Sequence, residues 1–187
     1  MIANLEELSL HSNPLLDIDA LPYENFKNLT NLYLSKTNAM NVSKIAKLPS
    51  KLVALSVDLN ENPSAAYFQH LTKLKTLYIY AKIDLEYHSF SRLPSLEELY
   101  VEYVTPASQV LKITLEGCPV SLSYIDLTIE EGDVESLQNK CRNISSGIHL
   151  TTNKPCNCGV FNELNKTGVG EYCNSLNFYL FTENLVE

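Results

Sequence analysis

A leucine pattern that recurs at intervals of 22 to 26 residues constrains this chain more than any other feature. Six segments have the apolar spacing L-x-x-L-x-L, and a weaker seventh copy follows them. The positions are Leu5/Leu8/Leu10, Leu29/Leu32/Leu34, Leu52/Leu55/Val57, Leu74/Leu77/Ile79, Leu96/Leu99/Val101, Leu122/Ile125/Leu127 and Ser145/Ile148/Leu150. Apolar and polar residues alternate within each copy, as they do in a strand with one buried face.

A second apolar pattern, with residues three apart, lies between the strands and predicts short helical or 3₁₀ turns. It is seen at Phe26/Leu29, Phe68/Leu71/Leu74 and Phe90/Leu93/Leu96. A strand-turn-return unit of this size cannot bury its own apolar face, so neighbouring units must stack and share one core. The longest interval, 96 to 122, contains Pro106, Gly117 and Pro119, which predicts an outward bulge there.

These units resemble the leucine-rich repeat family, whose consensus is L-x-x-L-x-L-x-x-N/C-x-L. The resemblance implies an α/β solenoid over residues 1–153, with a curved parallel sheet on the concave side and short helices, 3₁₀ turns and loops on the convex side. Asn13, Asn60 and Asn153 occupy the consensus Asn position. Their amides are expected to bond the turn of the adjacent repeat. The consensus Asn is replaced at Thr37, Lys82, Val104 and Glu130.

Residues 154–187 resemble the cysteine-rich carboxy-terminal cap of extracellular leucine-rich-repeat proteins, which has four cysteines in two disulfides. Only Cys156, Cys158 and Cys173 lie here, so Cys141 is expected to replace the fourth. Two pairings remain open: Cys141 with Cys158 and Cys156 with Cys173, or Cys141 with Cys156 and Cys158 with Cys173. Cys118 is left over and is expected to be a buried thiol. C-x-C is not the usual zinc-knuckle spacing, so no metal site is expected.

Features of the two ends and of the glycosylation signals favour an extracellular or cell-surface location. The first copy starts near Leu5 without a cap or signal sequence, so the chain is expected to be part of a longer solenoid, and any membrane anchor would lie outside it. Asparagines in acceptor sequons, which are candidates for glycosylation, are Asn28, Asn41, Asn143 and Asn165.

The alternative to an extracellular location is a cytoplasmic repeat protein with reduced cysteines. The apolar stretches are shorter than the roughly 20 residues of a membrane helix.

Strand residues that flank the buried leucines predict a ligand-binding surface on the concave face. The candidate residues are Tyr33, Asp58, Tyr78, Tyr80, Tyr100, Glu102, Tyr103 and Asp126. Tyrosine offers a large contact area with little loss of rotamer entropy, and the carboxylates favour a basic protein or peptide. The alternative is that these tyrosines reflect only strand propensity and cross-strand packing.

The net charge and the spacing of the histidines argue against nucleic-acid binding and catalysis. The net charge of −8 argues against a nucleic-acid binder, which needs cations to neutralise phosphates. The four histidines are spread along the repeats, so no catalytic pair and no cofactor are expected. The sequence predicts a non-catalytic binding module of an extracellular receptor or adhesion ectodomain, similar to those of Toll-like receptors. An intracellular scaffold or substrate adaptor is the alternative.

Overall fold

A computed structural model of the chain describes residues 4–104, 110–129, 133–141, 144, 148–152, 169–174 and 177–182. In these residues it is an α/β-type fold of strands and short 3₁₀ turns. The strands are β1 (Glu7–Ser9), β2 (Asn31–Tyr33), β3 (Ala54–Leu59), β4 (Thr76–Ala81), β5 (Glu98–Tyr103), β6 (Val110–Leu115), β7 (Tyr124–Ile129), β8 (Asp133–Asn139), β9 (Ile148–Thr152), β10 (Val169–Asn174) and β11 (Asn177–Thr182).

Nine of these strands form the main sheet, in the order β1-β2-β3-β4-β5-β7-β9-β11-β10. The first seven are parallel, whereas β11 is antiparallel to both β9 and β10. The central apolar residues of successive copies are Cα partners across the sheet: Leu8, Leu32, Leu55, Leu77, Leu99, Ile125 and Ile148. The strands and the register predicted from the leucine repeat are therefore confirmed.

One backbone contact recurs at the start of β2, β3, β4, β5 and β7. The carbonyl of Glu6 accepts hydrogen bonds from the N–H groups of Thr30 (2.8 Å) and Asn31 (3.1 Å) in the next unit. The carbonyls of Thr30, Val53, Lys75 and Glu97 do the same for the units that follow. Because the same polar groups are paired in the same way each time, neighbouring units stack with these backbone groups hydrogen-bonded.

The core lies between the main sheet and the return segments. Four return segments contain five 3₁₀ turns, two of them between β1 and β2: Ile18–Ala20, Tyr23–Asn25, Val42–Lys47, Ala65–Phe68 and Tyr87–Phe90. Phe68 and Phe90 are buried and meet edge to face, with ring centroids 5.5 Å apart. The three-residue apolar spacing thus marks the 3₁₀ turns, as predicted, and these turns also supply an aromatic contact between successive units.

The consensus asparagine does not act as the resemblance implies at Asn13. Its amide donates to the carbonyls of its own turn, Leu10 (2.9 Å) and His11 (3.1 Å). A link between adjacent turns is made instead by Asn62, which donates to the carbonyl of Asp84 (3.2 Å) and accepts from the N–H of Glu86 (2.8 Å). Asn153 lies outside the described residues.

Among the described residues after 109, two return segments form strands, β6 and β8, where the earlier return segments form 3₁₀ turns. β6 pairs in parallel with β8 in a second sheet and contacts the 3₁₀ turn Tyr87–Phe90. The interval 96 to 122 was predicted to bulge outward, but it carries β6, whose alternating Leu111, Ile113 and Leu115 are buried in the core. Gly117 follows with a φ of +62°, and a Cβ there would lie 2.9 Å from the His88 Cβ. The close approach of β6 to the preceding return segment therefore requires glycine.

A disulfide between Cys118 and Cys141 links the segments that follow β6 and β8. Leu115 is the strand partner of Asn139. Cys118 follows Leu115 by three residues and Cys141 follows Asn139 by two, so the ends of the paired strands bring the two sulfurs together. The predictions that Cys118 is a free buried thiol and that Cys141 pairs within the cap are wrong. Cys156, Cys158 and the side chain of Cys173 lie outside the described part, whereas β10 and β11 from the predicted cap extend the main sheet.

Neither a membrane-spanning helix nor a metal-binding cluster is found in the described residues. No helix in them combines the length and the apolar character that crossing a bilayer requires. They also contain no group of three or more His, Cys, Asp or Glu side chains arranged to hold a metal ion.

Candidate functional site

Five of the predicted ligand-binding residues meet on the face of the main sheet that points away from the core. Tyr78 and Tyr80 come from β4, Tyr100 and Glu102 from β5, and Asp126 from β7. The parallel register sets Tyr78 beside Tyr100, Tyr100 beside Asp126, and Tyr80 beside Glu102. We call these five residues the tyrosine–carboxylate face. They line a cleft of about 270 Å³.

The rings on this face are stacked across the strands. Tyr78 and Tyr100 have centroids 4.4 Å apart and planes within 12°. Tyr124 adds a third ring, tilted by 58° with its centroid 5.7 Å from that of Tyr100. Stacked pairs contribute about 0.5 to 1.5 kcal/mol beyond area burial, so the rings are held in place before any ligand arrives. Sequence analysis missed Tyr124, although it is two residues before Asp126 and therefore on the same strand face.

The carboxylates are oriented by neighbouring donors. Asp126 accepts from the Tyr124 hydroxyl (3.2 Å) and is 2.8 Å from Nδ1 of His149. Glu98, next to the face, is 3.4 Å from the Tyr100 hydroxyl and accepts from Thr76 at 3.3 Å. These contacts direct acidic groups to both sides of the stacked rings.

Burial and the nearby carboxylates hold the tyrosines in their neutral form. Desolvation, followed by the charge of Glu102, raises the pKa of Tyr80 to about 12. Desolvation, followed by the charge of Glu98, raises the pKa of Tyr100 to about 12. The pKa of Tyr78 is raised for the same first two reasons as that of Tyr100. A phenol with the ordinary pKa of 10 is already neutral at pH 7, and the raised pKa values keep these phenols neutral to a more alkaline pH.

Lys36 reaches this face from the turn after β2. Its Nζ lies 5.3 Å from the centroid of the Tyr80 ring and 3.9 Å from Oε1 of Glu102. Its backbone has a φ of +57°, and its N–H donates to Oδ1 of Asp58 at 3.0 Å. Sequence analysis missed Lys36, because only the folded turn brings it from β2 to side chains of β4 and β5.

Asp58 does not lie on the exposed surface as predicted. It follows the predicted strand alternation in β3, but its side chain and its neighbours are covered, and only 4% of the residue is exposed. The carboxylate accepts from the Lys36 N–H, and the Asp58 carbonyl accepts from the N–H of Met40 at 3.0 Å. Its position beneath the turn indicates that it fixes the backbone of Lys36 and does not itself contact a ligand.

The burial of Asp58 predicts a pH-dependent stability. Desolvation outweighs the Lys36 N–H bond and the charge of Lys82, so the pKa of Asp58 is raised above its ordinary value of 3.8. The folded state therefore keeps this proton to a higher pH than the unfolded chain does, and stability falls as pH rises from about 3.8 towards the folded pKa. The variant Asp58→Asn has no carboxyl to ionise and does not lose this stability. The stability of the variant relative to the parent should therefore increase as the pH rises from about 3.8 towards the folded pKa.

Urea unfolding at several pH values between 3 and 6.5 measures this difference. At pH 3 the carboxyl is mostly protonated in both states, because its unfolded pKa is 3.8 and its folded pKa is higher, so the comparison there reports mainly the structural effect of the amide. A difference between variant and parent that stays constant across the range would contradict the expected contribution of Asp58.

Besides Asp58, two more predicted residues are not brought into the cleft. Tyr103 is fully buried, and its hydroxyl is 2.7 Å from that of Tyr87 in the core. It is the last residue of β5, one position after Glu102, so the strand alternation points it to the core side; the prediction that it lies on the ligand face is wrong. Tyr33 is on the outward column, but Ser56 of β3 separates it from Tyr78.

The described sequon asparagines differ in exposure. Asn41 is exposed, and its Oδ1 caps the following 3₁₀ turn by accepting from the N–H of Ser43 at 3.0 Å. Asn28 is half-buried, and its Oδ1 accepts from Nζ of Lys51 at 2.7 Å. Asn143 and Asn165 lie outside the described residues. Of the two that are described, Asn41 is therefore the more accessible to a glycosylating enzyme.

Comparison with known proteins does not assign a family. No protein-family model and no curated protein sequence matches this chain. The repeat pattern and the geometry of the tyrosine–carboxylate face are therefore the observations that support a function.

Proposed function

We propose that this chain is a leucine-rich-repeat solenoid that binds a protein or peptide on its concave sheet face and carries out no catalysis. The in-register parallel strands, each separated by a return segment at the repeat interval, support the solenoid. The observation that carries the binding function is the stacked pair Tyr78 and Tyr100, framed by carboxylates above a cleft.

A basic ligand suits this face best. Glu98 and Asp126 flank the stacked rings, and Glu102 lies beside Tyr80. The electron-rich faces of the tyrosines attract cations, and the carboxylates complement positive charge. Because the rings are already stacked and the acids already oriented, ordering the face upon binding loses little entropy.

We also propose an extracellular setting, as part of a receptor or adhesion ectodomain similar to those of Toll-like receptors. The Cys118–Cys141 disulfide supports it, because disulfides persist in oxidising compartments. The exposed sequon at Asn41 supports it as well. Mass spectrometry of the native protein tests the setting: a glycan on Asn41 and a bridged cysteine pair are expected. Five free thiols and an unmodified Asn41 would favour an intracellular scaffold or adaptor instead.

Replacing Tyr78 and Tyr100 together by alanine is expected to weaken ligand binding by more than about 1 kcal/mol, or fivefold, without unfolding the chain. The double variant removes the stacked contact area while it leaves the core leucines in place. Peptides selected on the parent protein from a random display library supply the ligands, and they should be enriched in Lys and Arg. Calorimetry on parent and variant measures the change in affinity.

Tyr67→Ala is the matched control, because this tyrosine is half-buried on the return segment Ala65–Phe68, away from the sheet face. The control should bind the selected peptides as the parent does, and circular dichroism should show all three proteins folded. Selected peptides that bind the double variant with unchanged affinity would rule out the stacked pair as the contact surface.

A further inference from the structure

We infer that Lys36 is an internal stand-in for a basic side chain of the ligand, and that it must leave the subsite formed by Tyr80 and Glu102 when the ligand binds. The inference rests on the proposed function, and it names both the ligand group and a built-in competitor. The Lys36 ammonium already occupies the position that a ligand cation would take, over the Tyr80 ring and beside the Glu102 carboxylate.

The geometry of Lys36 is that of a weakly held cation. Nζ lies 3.9 Å from Oε1 of Glu102, and 51% of the lysine side chain is exposed. Because the lysine of this ion pair is half exposed, solvent screens the pair and its contribution is small, and a cation over a partly exposed tyrosine ring adds a modest amount. A ligand can therefore displace the ammonium without disrupting the fold.

The backbone of Lys36, in contrast, is firmly held. Its N–H donates to the buried carboxylate of Asp58, and the preceding Ser35 is buried and accepts a backbone bond from Ser12 at 3.1 Å. Thr37, also buried, donates to the carbonyl of Leu34. The turn thus keeps the side chain close to the subsite at a high local concentration, while the side chain itself is able to swing aside.

The subsite opens into the cleft of the tyrosine–carboxylate face, so one ligand can use both. Tyr80 and Glu102 line that cleft together with Tyr100 and Asp126. Arginine is the best-suited ligand residue, because its guanidinium stacks on aromatic rings and pairs with a carboxylate through two parallel hydrogen bonds. The chemical class of the occupant is accordingly a protein or peptide that presents arginine or lysine to this position.

The variant Lys36→Met tests whether the Lys36 ammonium competes with a ligand cation. Methionine retains an unbranched apolar chain but removes the charge. The probe is the peptide acetyl-Gly-Ser-Arg-Ser-Gly-amide, and its citrulline counterpart is the neutral control. Binding is followed by NMR with isotope-labelled tyrosine rings. We expect Lys36→Met to bind the arginine peptide about three- to tenfold more tightly than the parent does. The citrulline peptide should show no such gain.

Lys75→Met is the matched control for net charge. Lys75 pairs with Glu97 at 2.8 Å, with both side chains about half exposed, so this variant removes one positive charge without vacating the Tyr80 subsite. Its affinity for the arginine peptide should stay within twofold of the parent. Adding Glu102→Gln to Lys36→Met should abolish the gain, because the carboxylate that attracts the ligand cation is then neutral.

Equal affinities of Lys36→Met and Lys75→Met for the arginine peptide would contradict the inference that Lys36 occupies the position of a ligand cation. If the display-selected peptides still required Tyr78 and Tyr100, that result would leave the proposed binding function standing. If those peptides were also indifferent to the two tyrosines, the inference and the proposed function would fail together.

Discussion

Leu77→Ala is expected to lower the free energy of unfolding by about 2 to 5 kcal/mol. Leu77 is fully buried in β4, between its register partners Leu55 of β3 and Leu99 of β5. Neighbouring units on both sides contribute to the same core, and paired strands limit how far the backbone can move to fill the space. The truncated side chain therefore leaves a cavity as well as losing its transfer free energy.

Leu15→Ala is the matched control, since it makes the same chemical change at a residue that is 96% exposed. Its stability should stay within about 0.5 kcal/mol of the parent. Urea unfolding followed by circular dichroism measures both variants. If the two substitutions had equal effects, Leu77 would not lie in a core shared between units.

Removing the Cys118–Cys141 disulfide is expected to lower the free energy of unfolding by about 3 kcal/mol. The bridge joins residues 23 apart in sequence, and closing a loop of that length restricts the unfolded chain by about this amount. The effect should be seen in the double variant Cys118→Ser with Cys141→Ser, measured beside the parent under oxidising conditions.

Peptide mapping verifies the bridge before the stability comparison. Lys112, Lys140 and Arg142 are the tryptic sites around the pair, so a disulfide-linked species of residues 113–140 with 141–142 is expected from the non-reduced protein. Reduction should release the two peptides. Equal unfolding midpoints for the double variant and the parent would show that the bridge does not stabilise the folded state.

The register of the parallel sheet could be predicted from the sequence because the same interaction is repeated. Every copy must bury the same apolar column against its neighbour, and a slip of one residue would turn all of these side chains outward. The pairing of β6 with β8 could not be predicted in this way. Leu111, Ile113 and Leu115 alternate as in a strand, but they lie between repeat copies, and the period does not indicate their partner.

The candidate site was predicted in part. Strand alternation together with register is sufficient to bring Tyr78, Tyr80 and Tyr100 beside Glu102 and Asp126. Alternation also points Tyr103 towards the core. Its assignment to the ligand face was wrong, because it is one position after Glu102, the last outward residue of β5. Asp58 is on the outward column, and its burial follows from the turn that covers it, which sequence spacing does not describe.

The amino-acid sequence by itself determined the repeat length, the seven repeat strands, their parallel order and the column of outward tyrosines, because all of these follow from short periodic patterns of polarity. Only the tertiary structure decided that Cys118 meets Cys141, that Asp58 is buried, and that Lys36 lies over Tyr80. Each of these depends on where turns and return segments of different units meet in space. Such contacts are set by the path of the chain between the strands, and no period along the sequence encodes them.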